Sequence, residues 1–224
     1  MQNYLNSRKI LTYDDVVKFP GGNSIEPLVD LRKYDHSIVD KYIKHDMLSY
    51  TGDVMYVRDS LAKKLASINA NLKPMGYHLN VAYGYRHPDI QKEYFIKRRD
   101  AIRLQFPTYS DDELDRYTHN FVAVPDIAGH PAGAAVDVTI VTAEGNELDM
   151  GTGIAEYHDP NKIKTFAIGL TTDQVRNRTL LHDLMIDEGF APFYGEWWHF
   201  SYGDREWAAF YNKKALFSAI DFRG

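Results

Sequence analysis

The sequence predicts an α+β fold in which helices flank a small central antiparallel sheet. Two segments, 25–35 and 77–86, alternate apolar and polar residues as strands do, and 135–141 is rich in β-branched residues. Between them, the apolar residues of 54–72 recur every three or four positions, which is the period of an amphipathic helix. Strands and helices in this irregular succession indicate an α+β layout.

The length and composition predict one domain. The chain has 224 residues, of which 44% are hydrophobic and 25% charged, so it can bury a core of ordinary size. Residues 1–25 are polar and end in the turn-forming run Pro-Gly-Gly-Asn-Ser. We therefore expect a single domain over 1–224, with 1–25 as an N-terminal arm that wraps it.

Each remaining element follows from a local signal. The helix over 54–72 ends at Lys-Pro-Met-Gly, and the strand over 77–86 ends at Arg86. A second helix starts at Pro88 and closes before Pro107, and a third starts with a capping box formed by Ser110 and Glu113. In the second half of the chain, the sequence predicts a central strand over 135–141, a helix over 174–188, a strand pair over 190–200 and a last helix over 204–219. A loop is predicted over 143–163, where we expect it to border the candidate site described below.

Charge and cysteine content exclude several classes of function. The 26 basic and 31 acidic residues give a net charge of -5 without a long run of either sign, which argues against nucleic acid and anionic membrane surfaces as partners. The absence of cysteine excludes disulfides, thiol catalysis and Cys-ligated zinc. No apolar run suits a signal peptide or a membrane span, so we expect a cytoplasmic protein, or a periplasmic one whose leader has been removed.

The stretch GHPAGAAVDVT, residues 129–139, combines an imidazole with a carboxylate. His130 precedes the predicted central strand and Asp137 lies within it, separated by small residues that allow both side chains to converge. An aspartate on an apolar strand costs several kcal/mol unless its charge is compensated. A divalent cation bound by both side chains would supply that compensation.

A second stretch, EWWHF, offers the groups that such a site lacks. Two imidazoles and one carboxylate are ligands of a catalytic zinc, and a further carboxylate can act as general base toward the water at the metal. Here Glu196 precedes His199 by three residues, so in an extended strand they would point to opposite faces unless a turn intervenes. On spacing alone, a zinc site and a purely structural network remain equally open.

Together these stretches resemble a known family. HPAGAAVDVT is similar to H-x-x-G-x-A-x-D-[LV]-T, and GEWWHF to E-W-W-H-[FY], of the zinc D-alanyl-D-alanine dipeptidases of the vancomycin-resistance type, within the D-Ala-D-Ala carboxypeptidase family. AYGYRHP resembles the family's D-G-Y-R-P strand end, and LDMGTG its Met-Gly loop. The resemblance covers about residues 25–203 in the same order.

The resemblance implies a function and a set of site residues. His130, Asp137 and His199 would bind one zinc ion per chain in a cleft on the sheet. Glu196 would be the general base and then the acid for the leaving amine, and Arg86 would stabilise the oxyanion. The substrate would be a small peptide ending in D-Ala, with D-Ala-D-Ala hydrolysed to two D-alanines.

Two departures from the family pattern concern substrate recognition. Ala128 stands where the dipeptidases carry Ser, and Glu156 stands one residue beyond their Asp near the substrate amine. We expect Glu156 to contact the substrate, with Trp198 as a wall of the cleft. A carboxypeptidase that removes D-amino acids from longer peptidoglycan peptides stays an alternative. A third interpretation is a non-catalytic zinc-binding domain, against which Glu196 and Arg86 argue.

Overall fold

A five-stranded sheet with helices on its flanks forms the centre of the molecule. The computed structural model describes residues 8–40 and 45–224, so residues 1–7 of the predicted arm lie outside the described residues. The helices are α1 (Tyr13–Val16), α2 (Leu48–Thr51), α3 (Asp59–Leu72), α4 (Pro88–Gln105), α5 (Asp111–His119), α6 (Thr172–Asp187) and α7 (Arg205–Tyr211). The strands are β1 (Leu28–Asp30), β2 (Val39–Asp40), β3 (Tyr56–Arg58), β4 (Tyr77–Tyr83), β5 (Ala135–Thr142), β6 (Ala191–Pro192) and β7 (His199–Ser201).

The strand order confirms the predicted α+β class. The main sheet has the order β2-β4-β5-β7-β6, and all its pairs are antiparallel except β2 with β4. That pair is parallel because the chain crosses over through α2, β3 and α3 before it returns as β4. Strands β1 and β3 form a separate antiparallel pair. The small sheet is therefore mixed at one edge and antiparallel where it carries the sequence motifs.

Helix α3 and strands β4 and β5 build the hydrophobic core. The apolar stripe of α3, which includes Leu61, Leu65 and Ile68, is fully buried. It packs on β4, whose Leu79 and Val81 are equally inaccessible to solvent. The sheet is thereby held rigidly at its centre.

The predicted start of the first long helix is wrong. Residues 54–58 continue the helical periodicity, but the structure places Tyr56–Arg58 in a strand and starts the helix at Asp59. Val57 is buried opposite Val29 in the β1–β3 pair. The apolar residues Val54 and Val57 do not by themselves predict such a strand pairing, because the partner strand lies almost thirty positions earlier in the sequence.

The later elements follow the predictions closely, apart from the last helix. The capping box of Ser110 and Glu113 is present at α5. Helix α7 is shorter than predicted: it ends at Tyr211, and Asn212 adopts a left-handed conformation with a φ of 50°. The chain then folds back, where the amide of Phe217 donates to Gly203 and its ring is buried.

The described part of the N-terminal arm packs on the body of the protein. Helix α1 contacts α5 and α7, and the Asp14 carboxylate pairs with Arg116 of α5. Further along the arm, the amides of Gly22 and Ser24 donate to backbone carbonyls near the C-terminus, at 3.1 and 2.9 Å. The organisation of 1–224 as one domain stays a prediction.

In residues 8–40 and 45–224, no helix combines the length and the apolar character needed to cross a lipid bilayer.

Candidate active site

The register of the sheet brings the two sequence motifs together. In the antiparallel pair of β5 and β7, Asp137 lies directly opposite His199. The Nδ1 atom of His199 lies 3.0 Å from Oδ1 of Asp137. The turn that the sequence requires between Glu196 and His199 is present, because the amide of His199 donates to the carbonyl of Glu196 at 3.4 Å.

A tight turn places His130 beside the same carboxylate, that of Asp137. His130 begins a 3-10 turn that Gly133 closes with a φ of 65°, and the Gly133 amide donates to the carbonyl of His130. Its Nδ1 lies 2.8 Å from the carbonyl oxygen of Gly84, a partner that only an N–H can satisfy. The proton is therefore fixed on Nδ1, and Nε2 faces Asp137 at 3.5 Å.

The three side chains fit a metal ion. Their candidate ligand atoms all lie within 4.8 Å of one another. Ligands of a tetrahedral zinc, each about 2.0–2.2 Å from the ion, lie roughly 3.3–3.6 Å apart. The separations of 3.0 and 3.5 Å from Oδ1 of Asp137 to the two imidazoles are close to that spacing.

The charge states of these three side chains also favour binding of a cation. Burial opposes ionisation of Asp137, but the imidazoles of His130 and His199 outweigh it and hold the Asp137 pKa well below its usual value. Burial lowers the pKa of His130, which keeps that imidazole neutral. Burial also opposes the charge on His199, but hydrogen bonding to Asp137 raises the His199 pKa to about 9. A metal ion would replace that proton as the counter-charge of Asp137.

Glu196 lies on the turn before β7 and is partly buried. Burial raises its pKa to about 7, against a smaller lowering by the neighbouring His199. The hydroxyl of Tyr157 donates a hydrogen bond to the Glu196 carboxylate and also lowers its pKa. A carboxylate with a pKa near neutrality can both accept and return a proton.

Arg86 follows the end of β4 and is held by a neighbouring helix. Its Nη1 donates to Oε1 of Gln91 at 2.8 Å, and Nε2 of Gln91 donates to the carbonyl of Ala123 at 2.8 Å. The guanidinium also lies 4.4 Å from the ring centre of Tyr83. The backbone amide of Arg86 donates to the carbonyl of His130 at 3.2 Å, which ties the cation to the metal-ligand turn.

One cavity of about 450 Å³ joins these groups. Its walls come from α4, the segment before β5, the loop after β5 and the start of α7. It is lined by all five residues that the motifs single out as ligands, base and cation: Arg86, His130, Asp137, Glu196 and His199. This arrangement can bind a cation, hold a proton acceptor beside it and present a fixed positive charge.

Two residues expected to contact substrate lie elsewhere. Glu156 is exposed, and its carboxylate accepts from the backbone amide of Gly153 at 2.8 Å instead of lining the cavity. Its neighbour Ala155 lines the wall. Trp198 is only 1% exposed and packs edge-on against the ring of Tyr157. It supports a cavity residue from behind and is not itself part of the wall.

Several residues of the cavity could not be identified from the sequence, and three of them lie beside the catalytic groups. Tyr157 comes from the loop over 143–163, which was expected to border the site but offered no reason to choose one side chain. Gln91 and Glu206 lie on helices, and Oε1 of Glu206 is buried without a hydrogen-bond partner among the described residues. Polar residues at single helical positions carry no spacing signal, so only the folded arrangement identifies them.

Comparisons with known proteins agree with these motifs. The sequence profile of the M15 peptidase family, described as D-ala-D-ala dipeptidase, matches residues 30–218. A D-alanyl-D-alanine dipeptidase of Synechocystis sp. is 37% identical over 134 residues, which are 53% of this chain and 54% of that protein. A D-alanyl-D-alanine dipeptidase of Escherichia coli is 37% identical over 73 residues, covering 33% of this chain and 37% of the relative. The matched part thus spans about half or less of these relatives.

Among solved structures, the LdcB LD-carboxypeptidase is similar at 20% identity and a TM-score of 0.48. That likeness covers 88% of this chain and 78% of the other.

Proposed function

Because this chain belongs to the D-alanyl-D-alanine dipeptidase family of M15 peptidases, we propose that it is a zinc metallopeptidase that hydrolyses D-Ala-D-Ala to two molecules of D-alanine. The observation that carries the proposal is the convergence of the His130, Asp137 and His199 donors beside the Glu196 carboxylate in one cavity. A structural network would need no such accessible cavity.

The donor set suits zinc. Two neutral imidazoles and one carboxylate leave a fourth position open, and the Gly84 carbonyl orients His130 as second-shell groups do in zinc enzymes. When bound, zinc supplies a Lewis acid that polarises the scissile carbonyl and acidifies water. We assign one ion per chain to His130, Asp137 and His199.

Glu196 moves the proton in the proposed reaction. Its carboxylate takes one proton from the attacking water while the water oxygen bonds to the carbonyl carbon. The same carboxyl then gives that proton to the leaving amine as the C–N bond breaks. A pKa of about 7, raised by burial, suits both steps near neutral pH.

Arg86 supplies fixed positive charge to the oxygen that becomes negative. The Gln91 side chain holds one guanidinium nitrogen, so the cation is oriented before substrate binds. Preorganised donors of this kind stabilise the transition state more than the ground state.

A carboxypeptidase acting on longer peptides is the second candidate. It is favoured by the cavity, which at about 450 Å³ is larger than a dipeptide of eleven non-hydrogen atoms needs and is open beyond the metal ligands. Ala128 and Ala155 also offer no polar group to the ends of a dipeptide.

Substitution of the base tests the proposal. Glu196→Gln should keep the zinc, measured by inductively coupled plasma mass spectrometry, and lower the rate of D-alanine release from D-Ala-D-Ala by about 10²–10⁴-fold. Glu147→Gln, which changes an exposed carboxylate outside the cavity, is the matched control and should retain the wild-type rate. Wild-type protein with stoichiometric zinc that releases alanine from neither D-Ala-D-Ala nor a D-Ala-ended pentapeptide would overturn the enzyme proposal in favour of a zinc-binding domain.

A further inference from the structure

Two basic side chains of α4, Lys97 and Arg98, line the cavity that also holds the metal ligands. The helix lines the cavity with residues spaced three or four apart, which is one helical face: Gln91, Tyr94, Lys97, Arg98 and Ala101. Gln91 marks the catalytic end because it binds Arg86. Lys97 and Arg98 lie farther along the same face, so the wall becomes positively charged away from the catalytic centre.

These two cations differ from the other basic residues of the same helix. Arg99 and Arg103 face α5, where Asp111 pairs with both and Asp115 with Arg99. In residues 8–40 and 45–224, neither Lys97 nor Arg98 forms an ion pair or hydrogen bond, and the guanidinium of Arg98 lies 5.1 Å from the ring centre of Phe121. The basic residues of α4 that face α5 are therefore neutralised, whereas the two that face the cavity are not.

The charged side chains differ between the two ends of the cavity. Asp137, Glu196, Glu206 and the Arg86 guanidinium lie at the metal end, whereas Lys97 and Arg98 contribute only positive charge at the other end. A protein of net charge -5 repels anions on average, so this local positive region stands out from its surroundings. An anionic group of a bound substrate is therefore favoured at the α4 end.

The distance between the two ends sets where that anionic group lies in the substrate. Gln91 and Arg98 are seven residues apart, and a helix rises about 1.5 Å per residue, which separates them by roughly 10 Å. An extended peptide covers about 3.3–3.6 Å per residue, so this span corresponds to about three residues. The carboxylate of a D-Ala-D-Ala dipeptide lies one residue from the scissile bond, which is short of that span.

We propose that Arg98, assisted by Lys97, binds a carboxylate of the substrate two to three residues from the scissile bond. Among peptides longer than a dipeptide, acidic ones are then preferred. This inference rests on the proposed peptidase function and identifies the substrate class of that same cavity. Arg98 is a binding residue, and the chemical step does not depend on it.

Paired peptides test the proposal. One pair, Glu-Ala-D-Ala-D-Ala and Gln-Ala-D-Ala-D-Ala, places the charge on the acyl side of the D-Ala-D-Ala bond. The other pair, D-Ala-D-Ala-Ala-Glu and D-Ala-D-Ala-Ala-Gln, both with an amidated C-terminus, places it on the leaving side. In one of the two pairs, the wild-type kcat/KM for the Glu peptide should exceed that for the Gln peptide by about tenfold or more, because the KM of the Glu peptide is lower. Arg98→Gln should remove the difference by lowering kcat/KM for the Glu peptide to that of the Gln peptide. Lys97→Gln should reduce it a few-fold, because that side chain is more exposed.

Lys92→Gln is the control, since Lys92 is an exposed lysine of α4 outside the cavity, and it should keep the full preference. Equal kcat/KM within both pairs, or an equal loss for Glu and Gln peptides in Arg98→Gln, would overturn the proposal. If zinc-loaded protein hydrolyses none of the peptides, the proposed function fails instead. In that case, the affinities of the Glu and Gln peptides for the Glu196→Gln protein, measured by calorimetry, still test the anion site. Tighter binding of a Glu peptide that is lost when Arg98→Gln is added supports the site. Equal affinities refute it.

Discussion

Tyr157→Phe removes one hydroxyl from the cavity and leaves the aromatic ring in place. The ring packs against Trp198 with centres 5.9 Å apart, so the wall should keep its shape. In the wild type, the hydroxyl donates to Glu196 and lowers its pKa, in opposition to burial, which brings that pKa to about 7. Without the donor, the partly buried carboxylate is less stable as an anion, and its pKa rises.

The size of the shift follows from one hydrogen bond to a charged group. Such bonds contribute about 1.5–3 kcal/mol, and one pKa unit corresponds to about 1.36 kcal/mol. The acid limb of the kcat/KM profile for D-Ala-D-Ala should therefore move to higher pH by about one to two units. The alkaline plateau should change little, because Glu196 is deprotonated there in both proteins.

The assay is D-alanine release measured from pH 4 to 10. Tyr211→Phe is the control, since it removes a hydroxyl that donates to the carbonyl of Phe190 at 2.9 Å, outside the cavity. Its acid limb should coincide with that of the wild type. A Tyr157→Phe profile whose plateau falls while its acid limb stays in place would refute the reasoning, because Tyr157 would then act on substrate and not on the base.

Two further predictions concern the fold around the site and the metal. Arg178→Leu should lower the free energy of unfolding by about 3 kcal/mol or more in urea denaturation, because the buried guanidinium donates to the carbonyls of Met150, Lys164 and Lys162 at 2.6–2.9 Å. Arg176→Leu on the same helix breaks only an exposed ion pair and should cost less than about 1 kcal/mol; equal losses would contradict this account. Zinc should displace the proton that Asp137 holds on His199, whose pKa is about 9. Its affinity for the metal-free protein should therefore fall about tenfold per pH unit below pH 9, with release of about one proton at pH 7, and a flat profile would show that His199 is not a ligand.

The centre of the fold and the metal cluster could be predicted because local patterns encode them. The β-branched run at 135–141 specified a buried strand, and an aspartate within it required a counter-charge. The spacing within HPAGAAVDVT and EWWHF left a zinc site and a structural network equally open, and the resemblance to the dipeptidase family then implied His130, Asp137 and His199 as the ligands. Pairing of β5 with β7 is the physical step that brings these distant stretches together.

Other features depend on contacts that sequence spacing does not encode. The contact made by Glu156 could not be predicted, because its carboxylate can bind either a substrate or the nearby amide of Gly153. The conformation of the loop determines which contact forms, and here it is the one with Gly153. Trp198 has the composition of a substrate wall, yet the register of β7 buries it. Val57 fits a helical stripe but belongs to a strand, since its partner Val29 becomes available only when the chain folds.

Restoring zinc to the metal-free protein tests the central claim most directly. The protein is freed of metal with a chelator, zinc is added in fractions of an equivalent, and D-alanine release from D-Ala-D-Ala is followed at each addition. The account predicts no release without metal, a linear rise, and a plateau at one zinc per chain, since His130, Asp137 and His199 form one site. Unchanged D-alanine release by the metal-free protein, or zinc bound at one equivalent with no release from this dipeptide, would contradict it.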